Sequence, residues 1–399
     1  MSMAPGPAPL RFPSQRECPF DPPAVQTALR ESCPVAPVEL HDGQAAWLIS
    51  RYDDIRMVLS DERFSSSGLW KFAGSANRSA AERAETSFTV LDPPDHTHLR
   101  RLFTRYFTLR RVESMRGYIQ GVVDEAIDSL MSRADRRADL VTDFALPVAS
   151  RTMCALVGVP YEDHEWFEAR ADVRSRMEGD PQEAARATQE LLAYMANLIE
   201  IKRAEPGPDI ISSTIVDLLD PGLISQTDLV AALRLLLTAG HETTATMIAT
   251  SAFVLLTHDD QLGEIRSDQS LLTGAIEELL RYISMLFILV RTAKQDLLIQ
   301  GQQIKAGEGL IVGPALANKD PRAFDMPNRF DIHRDSRHHV AFGFGPHQCL
   351  GQPVARLELS IALGSLIRRL PSLKLAEAAS DIPFKNTNLV GVAALPVAW

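Results

Sequence analysis

Phe342-Gly343-Phe344-Gly345-Pro346-His347-Gln348-Cys349-Leu350-Gly351 is the stretch on which the reading of this chain turns. Glycines without a Cβ let a backbone loop come close to a flat ligand. Beyond the loop, the apolar positions from Leu350 to about Leu370 recur with the period of a helix. Cys349 therefore sits at a helix start, where backbone N–H groups and the helix dipole favour a thiolate. A softened, hydrogen-bonded sulfur of this kind suits iron. A lone cysteine is more often a small buried hydrophobe, but the full pattern F-G-x-G-x-x-x-C-x-G is too specific to be set aside as a turn.

Upstream, Ala239-Gly240-His241-Glu242-Thr243-Thr244 falls inside a segment, Leu229 to Thr257, that is hydrophobic nearly all round. Ser225-Gln-Thr-Asp228 gives this segment a capping-box start, and such a helix belongs in the middle of a domain. An acid and two hydroxyls at that depth are costly unless they are satisfied or useful. Gly240 adds ~1 kcal/mol relative to alanine in a helix interior. The stretch reads either as a kink with threonine hydroxyls bonded to the preceding turn or as a functional acid–alcohol pair. Glu278-Leu-Leu-Arg281 places an acid and a base on one helix face. His96-Thr-His-Leu-Arg100 does the same for His96 and Arg100, a clamp suited to a carboxylate. A metal site from His96 and His98 lacks further ligands nearby.

The rest of the chain frames these motifs. Its 399 residues carry 41 Lys+Arg against 51 Asp+Glu, a net charge of -10, which argues against nucleic acid as a partner. Met1 to Cys18 is rich in proline and shows neither a secretory signal nor a membrane anchor. The uncharged runs Ala245–Thr257 and Asn386–Trp399 hold thirteen and fourteen residues, short of the ~18 that suggest a membrane span. A cytoplasmic protein is expected, with Cys18, Cys33, Cys154 and Cys349 as free thiols. Residues 35–49 read as a hairpin about Asp42-Gly43. Asp92-Pro93-Pro94-Asp95 opens a helix, and residues 113–133, 161–176 and 182–204 carry helical periodicity up to Pro206 and Pro208. Residues 296–318 read as short strands with glycine turns. The pattern predicts one mainly helical (mainly α) domain over residues 1–399, with small peripheral β-sheets.

The segment 342–351 resembles the haem-binding loop of cytochrome P450s, and the resemblance extends over almost the whole chain. It is nearest to the soluble bacterial members that receive electrons from a ferredoxin. The resemblance implies the cytochrome P450 fold around heme b (iron protoporphyrin IX), with Cys349 as the proximal iron ligand whose thiolate favours O–O cleavage. Phe342, Gly343 and Gly351 complete the cofactor-binding loop. His96, Arg100, Arg291 and His347 correspond to residues that hold the haem propionates. Ala239 and Gly240 lie against the haem, with a gap at Gly240 for O2, and Glu242 and Thr243 match the pair that relays protons. Glu278, Arg281 and Arg334, the last within Phe330-Asp-Ile-His-Arg334, match a structural network.

The resemblance also implies that the segment after Arg281 faces the substrate cavity. Here it reads Tyr282-Ile-Ser-Met-Leu-Phe-Ile-Leu-Val290, nine residues without a charge, which would select an apolar molecule. Val90, Leu237 and Val390 are further wall positions, and residues 64–90 and 168–200 match cavity-covering regions. The implied function is a monooxygenase that hydroxylates or epoxidises a hydrophobic small molecule of natural-product type. It would use O2 and electrons from NAD(P)H through a ferredoxin reductase and a ferredoxin. Arg100, Arg101, Arg105, Arg110 and Arg111 would form a docking patch for the acidic ferredoxin. The alternatives are a P450-type nitric oxide reductase, against which Glu242 speaks, and a non-catalytic haem protein that binds a ligand. Direct NADH oxidation with NO would favour the first.

Overall fold

The computed structural model describes residues 10–12, 18–40, 43–67, 88–175, 180–385 and 389–399. Most of the proline-rich start, Asp42, and residues 68–87 and 176–179 of the expected cavity cover lie outside them. Residues 35–49 form the expected hairpin, Val35–Leu40 against Ala45–Ile49, with Gly43 at φ +79° in the turn. The hairpin joins a six-stranded sheet in which Gly309–Val312 runs parallel to Ala45–Ile49 and Leu289–Ala293 pairs antiparallel beside it. Leu48, Ile49, Leu310 and Val312 from these strands pack with Ile55 and Val58 of helix Tyr52–Ser60 in one apolar cluster.

Within residues 296–318 the strands Leu297–Ile299 and Gln302–Ile304 pair across Gln300-Gly301, whose φ angles of +49° and +80° are those of a tight two-residue hairpin turn. The segment ends in a short helix, Pro314–Asn318, that the strand reading did not anticipate. Five residues are too few for a helical period to show.

The larger cluster is helical. Its axis is Gln226–Leu256, capped by Ser225, whose Oγ accepts the Asp228 N–H at 3.1 Å. Helices Leu146–Val157, Pro181–Ala204, Leu272–Ile283 and Gln352–Arg369 pack around it. The periodicity over 113–133 resolves into two helices, Leu109–Ser114 and Arg116–Met131, hinged at Met115. Asp95–Thr104 and His164–Ser175 form where the apolar spacing placed helices.

The motif Glu278-x-x-Arg281 is fully buried. Arg281 Nε and Nη2 meet the Glu278 carboxylate at 2.7 and 2.8 Å, and both side chains have no exposed surface. Arg334 Nε donates to the same carboxylate at 3.2 Å and the Asp331 N–H at 3.0 Å, with Ser336 Oγ as a further donor. Arg281 also donates to the carbonyls of Asn318 and Pro327 at 2.7 and 2.8 Å. The expected three-residue network thus ties helix Leu272–Ile283 to the chain that leads into the cysteine loop.

Glu358 is a second buried acid, on the terminal helix, with no charged partner among the described residues and only the Thr152 hydroxyl nearby. Burial raises its pKa well above the ordinary 4.5, with Thr152 pulling weakly the other way. The folded chain therefore keeps this proton in a pH range where the unfolded chain has lost it. Stability from this group is full below the unfolded pKa and declines as pH rises toward the folded one, by about 1.4 kcal/mol per pH unit in that window. Glu358→Gln carries no such proton, so its melting temperature should gain on the parent's between pH 5 and pH 8. Parallel melting curves at both pH values would expose the assignment as mistaken.

Candidate active site

The cysteine loop is held by its own backbone. Gly343 N–H donates to Val340 O at 2.9 Å, Gln348 N–H to Gly345 O at 3.0 Å and Cys349 N–H to Phe342 O at 2.8 Å. Gly343 and Gly345 both take φ +74°. A Cβ on Gly345 would lie 2.7 Å from Leu59 O and 2.8 Å from Ser60 Cα, so glycine is required there twice over. The loop thereby rests on helix Tyr52–Ser60, and Arg56 covers the Phe344 ring at 4.1 Å. On the other side Arg356 lies 4.7 Å over Phe342 while binding Glu277 at 2.7 Å.

Cys349 is accessible by surface yet strongly desolvated by the protein around it. Ala239 likewise keeps open surface in the middle of a helix that is otherwise mostly buried. The N–H groups of Gly351 and Gln352 bond the sulfur as expected, and Arg100 and Arg356 add positive charge. Burial outweighs all of them, however, and the thiol pKa stands above its ordinary 9.0. The helix start alone does not make a thiolate; coordination to a metal, which deprotonates a thiol outright, would.

His96, Arg100, Arg291 and His347 converge. The rings of His96 and His347 stack at 3.9 Å, and Arg100 Nη2 donates to Gln348 O at 2.5 Å. Arg291, on strand Leu289–Ala293, is buried, and among the described residues its hydrogen bond is to the neighbouring Val290 O, at 2.8 Å. Both ring nitrogens of His96 and Nδ1 of His347 are buried without a partner. Burial, then the neighbouring positive groups, pushes His347 down to about 3, and burial lowers Arg291 to about 10. Asp92 is the nearby carboxylate, but its oxygens already take Ser65 Oγ at 2.5 Å and the Ser66 N–H at 2.8 Å. A buried guanidinium such as that of Arg291, with no carboxylate bonded to it, is expensive, and so are buried imidazole nitrogens without a hydrogen-bond partner. This set lacks an acid of its own, and the carboxylates of a haem have the chemistry to supply one. The residues present fit that group. His98, by contrast, is exposed, and no group of three metal-ligating side chains occurs among the described residues.

Thr243 Oγ1 donates to Ala239 O at 2.6 Å, the bond to the preceding turn that one sequence reading proposed. Its lone pairs remain free to accept. Glu242 is paired with Lys385 at 3.1 Å. On its Cβ side Gly240 is closely packed, since a Cβ there would come 2.4 Å from Met153 Sδ, and this lets helix Leu146–Val157 approach. Gly240 itself is half-buried and Ala239 carries open surface. On the expected cavity wall, each residue from Met285 to Val290 is half-buried, whereas Ile283 and Ser284 are buried. Val90 is half-buried, Val390 is 9% exposed and Leu237 has no exposed surface, so Leu237 belongs to the core and not to the wall.

Lys385 and the Arg356–Glu277–His339 cluster were not singled out from sequence. Nothing local marks Lys385, because its partner is far away in the chain. Arg356 carried a signal, a charge one turn into an apolar helix directly after the cysteine.

Residues 38–397 match the family model described as Cytochrome P450. The chain is a cytochrome P450. Pentalenic acid synthase of Streptomyces avermitilis is 42% identical over 98% of both chains. The 20-oxo-5-O-mycaminosyltylactone 23-monooxygenase of Streptomyces fradiae is 42% identical over 98% of this chain and 92% of its own length. The crystal structure of mycinamicin VIII C21 methyl hydroxylase from Micromonospora griseorubida, bound to mycinamicin VIII, superposes with a TM-score of 0.92 at 37% identity, covering 98% of this chain and 100% of that one. This P450 is a bacterial-type monooxygenase with the P450 fold and the haem iron that the family carries. No helix among its described residues is long and apolar enough to cross a membrane.

Proposed function

We propose that this P450, one domain over residues 1–399, hydroxylates or epoxidises a hydrophobic small molecule of natural-product type in the cytoplasm, with heme b as cofactor. The observation that supports this most is the convergence of His96, Arg100, Arg291 and His347 beside a glycine loop that presents Cys349, with the ring nitrogens of His96 and Nδ1 of His347 left without a partner and the Arg291 guanidinium buried. Cys349 would ligate the iron, and the four basic residues would hold the propionates. So held, haem supplies the activation of O2 and the insertion of one oxygen atom into a C–H bond or alkene.

The chain's own residues do the rest. Met285 to Val290 offer an apolar wall that excludes water and orients substrate by shape. Related enzymes whose names include pentalenic acid and 20-oxo-5-O-mycaminosyltylactone support a substrate of this type. Glu242 places a carboxyl group one residue from Thr243, whose hydroxyl oxygen can accept a hydrogen bond while its own hydrogen stays on Ala239 O.

Electrons would come from NAD(P)H through a ferredoxin reductase and a ferredoxin. The expected docking patch is smaller than its sequence suggested. Arg100 turns inward to Gln348, and Arg105 is paired with Asp217 at 2.6 Å. Arg101 and Arg110 remain exposed, around Leu109 at 77% exposure.

Replacing Thr243 by Ala tests the proton assignment. Electron flow should shift from product to hydrogen peroxide by roughly tenfold or more, within the range general for acid–base groups. Peroxide and product titrated against NAD(P)H consumed give the ratio, and unchanged coupling would remove Thr243 from the relay. Substrate class is read by screening apolar scaffolds for the spectral shift that accompanies binding near iron.

A further inference from the structure

We propose that Lys385 is a positioning residue for Glu242, holding its carboxylate in an ion pair against the carboxy-terminal hairpin, from which the acid has to be released before it can pass a proton. The inference rests on the reading of Glu242 as a proton-relay acid and assigns its control to a residue on another element.

Lys385 Nζ lies 3.1 Å from Glu242 Oε1, and the two side chains are only 17% and 20% exposed. A pair this sheltered is less screened than a surface contact. The lysine is also anchored. Its N–H donates to Gly391 O at 2.8 Å, and Phe384 bridges Val392, so both arms of the hairpin are joined at its base. That base lies along one stripe of the long helix, Glu242, Thr246 and Thr250, spaced four residues apart. Gly391 is seated so closely that a Cβ would come 2.2 Å from Thr246 Cγ2 and 2.7 Å from Thr250 Oγ1. Val392 N–H donates to Thr250 Oγ1 at 3.2 Å. A lysine carried on this base reaches the first residue of the stripe and holds it.

The same hairpin touches the apolar wall, where Val390 N–H donates to Met285 O at 2.8 Å and Leu389 bridges Leu286. The wall that would meet substrate and the acid that would pass protons are thus tied to one small element.

Among the described residues, Lys385 is the cation paired with Glu242. His241, next along the helix, has its pKa lowered chiefly by burial and stands neutral. Glu168, on helix His164–Ser175, adds negative charge and accepts Ser150 Oγ at 2.5 Å. An ionised carboxylate paired with an ammonium cannot donate a proton. With the cation gone, the carboxylate loses the neighbouring charge that favours its ionised form.

The test uses the holoenzyme with Lys385→Met, Lys385→Arg, Glu242→Gln and the double variant Lys385→Met/Glu242→Gln. Melting temperature provides a readout independent of turnover: the double variant should lose no more than the larger single loss, because both remove the same pair. Additive losses would overturn the proposal. Product formed per NAD(P)H is then followed against pH. Lys385→Met should move the limb that belongs to Glu242 upward by about one pH unit, Lys385→Arg should restore the parental limb, and Glu242→Gln should abolish it. If Glu242→Gln removes the limb and Lys385→Met leaves it in place, Lys385 has no positioning role and the relay reading stands. If Glu242→Gln leaves coupling and limb intact, the relay reading itself falls, and this proposal with it. Where Lys385→Met does not accumulate as folded protein, Lys385→Gln removes the charge with a smaller change in polarity and is judged by the same outcomes.

Discussion

Glu278→Gln is expected to destabilise the chain by about 3–5 kcal/mol, the cost general for breaking a buried ion pair by removing one partner. Against a total stability of about 5–15 kcal/mol, such a loss empties much of the folded population. The reason is local. One carboxylate takes bonds from Arg281, Arg334, Ser336 and the Asp331 N–H, and it alone opposes the charge of an arginine with no exposed surface. Glutamine keeps the shape and one acceptor oxygen but leaves two guanidinium groups without a counter-charge. Arg281 would still bond the carbonyls of Asn318 and Pro327, which carry only partial charge. Urea titration reads the effect directly, and a midpoint equal to the parent's would contradict it. Haem content should fall in parallel, because the network anchors the segment that leads into the cysteine loop.

Cys349→Ala is the second large effect, and it lies in function more than in folding. The loop is held by backbone bonds between Gly343 and Val340, Gln348 and Gly345, and Cys349 and Phe342, none of which needs the sulfur. The variant should therefore fold, with a melting temperature near that of the parent apoprotein. Monooxygenase activity should drop to background. The reduced carbon-monoxide complex should also lack the absorption band characteristic of thiolate-ligated haem, since the side chain that would supply the ligand is gone. Any haem retained would be held by His96, Arg100, Arg291 and His347. Full activity in this variant would place the iron ligand elsewhere.

The difference between what was legible in the sequence and what was not follows the range of each interaction. Ser225-Gln-Thr-Asp228 and the apolar run after it predicted the long helix, because capping and periodicity are local. The hairpin about residues 42–43 and the cysteine loop were legible for the same reason. The close packing of Met153 on Gly240 was not legible: a glycine in a helix says that space is needed, not what fills it. Leu237 likewise has the character of a wall or a core residue, and only packing distinguishes them. The helix start at Cys349 was legible in sequence, while the burial around the sulfur, which raises the thiol pKa, was not. Lys385 was missed because its partner, Glu242, lies on a different element far away in the chain.

Gly345 meets the backbone of Leu59 and Ser60, so the floor under the cysteine loop is supplied by a distant, amino-terminal part of the polypeptide. A contact between such distant positions forms only after most of the chain has been threaded into place, and contacts of this kind are slow to close. The pocket is consequently a late product of assembly. Prosthetic-group capture then doubles as an inspection step, because a molecule whose amino-terminal part has yet to dock has no finished cradle to offer.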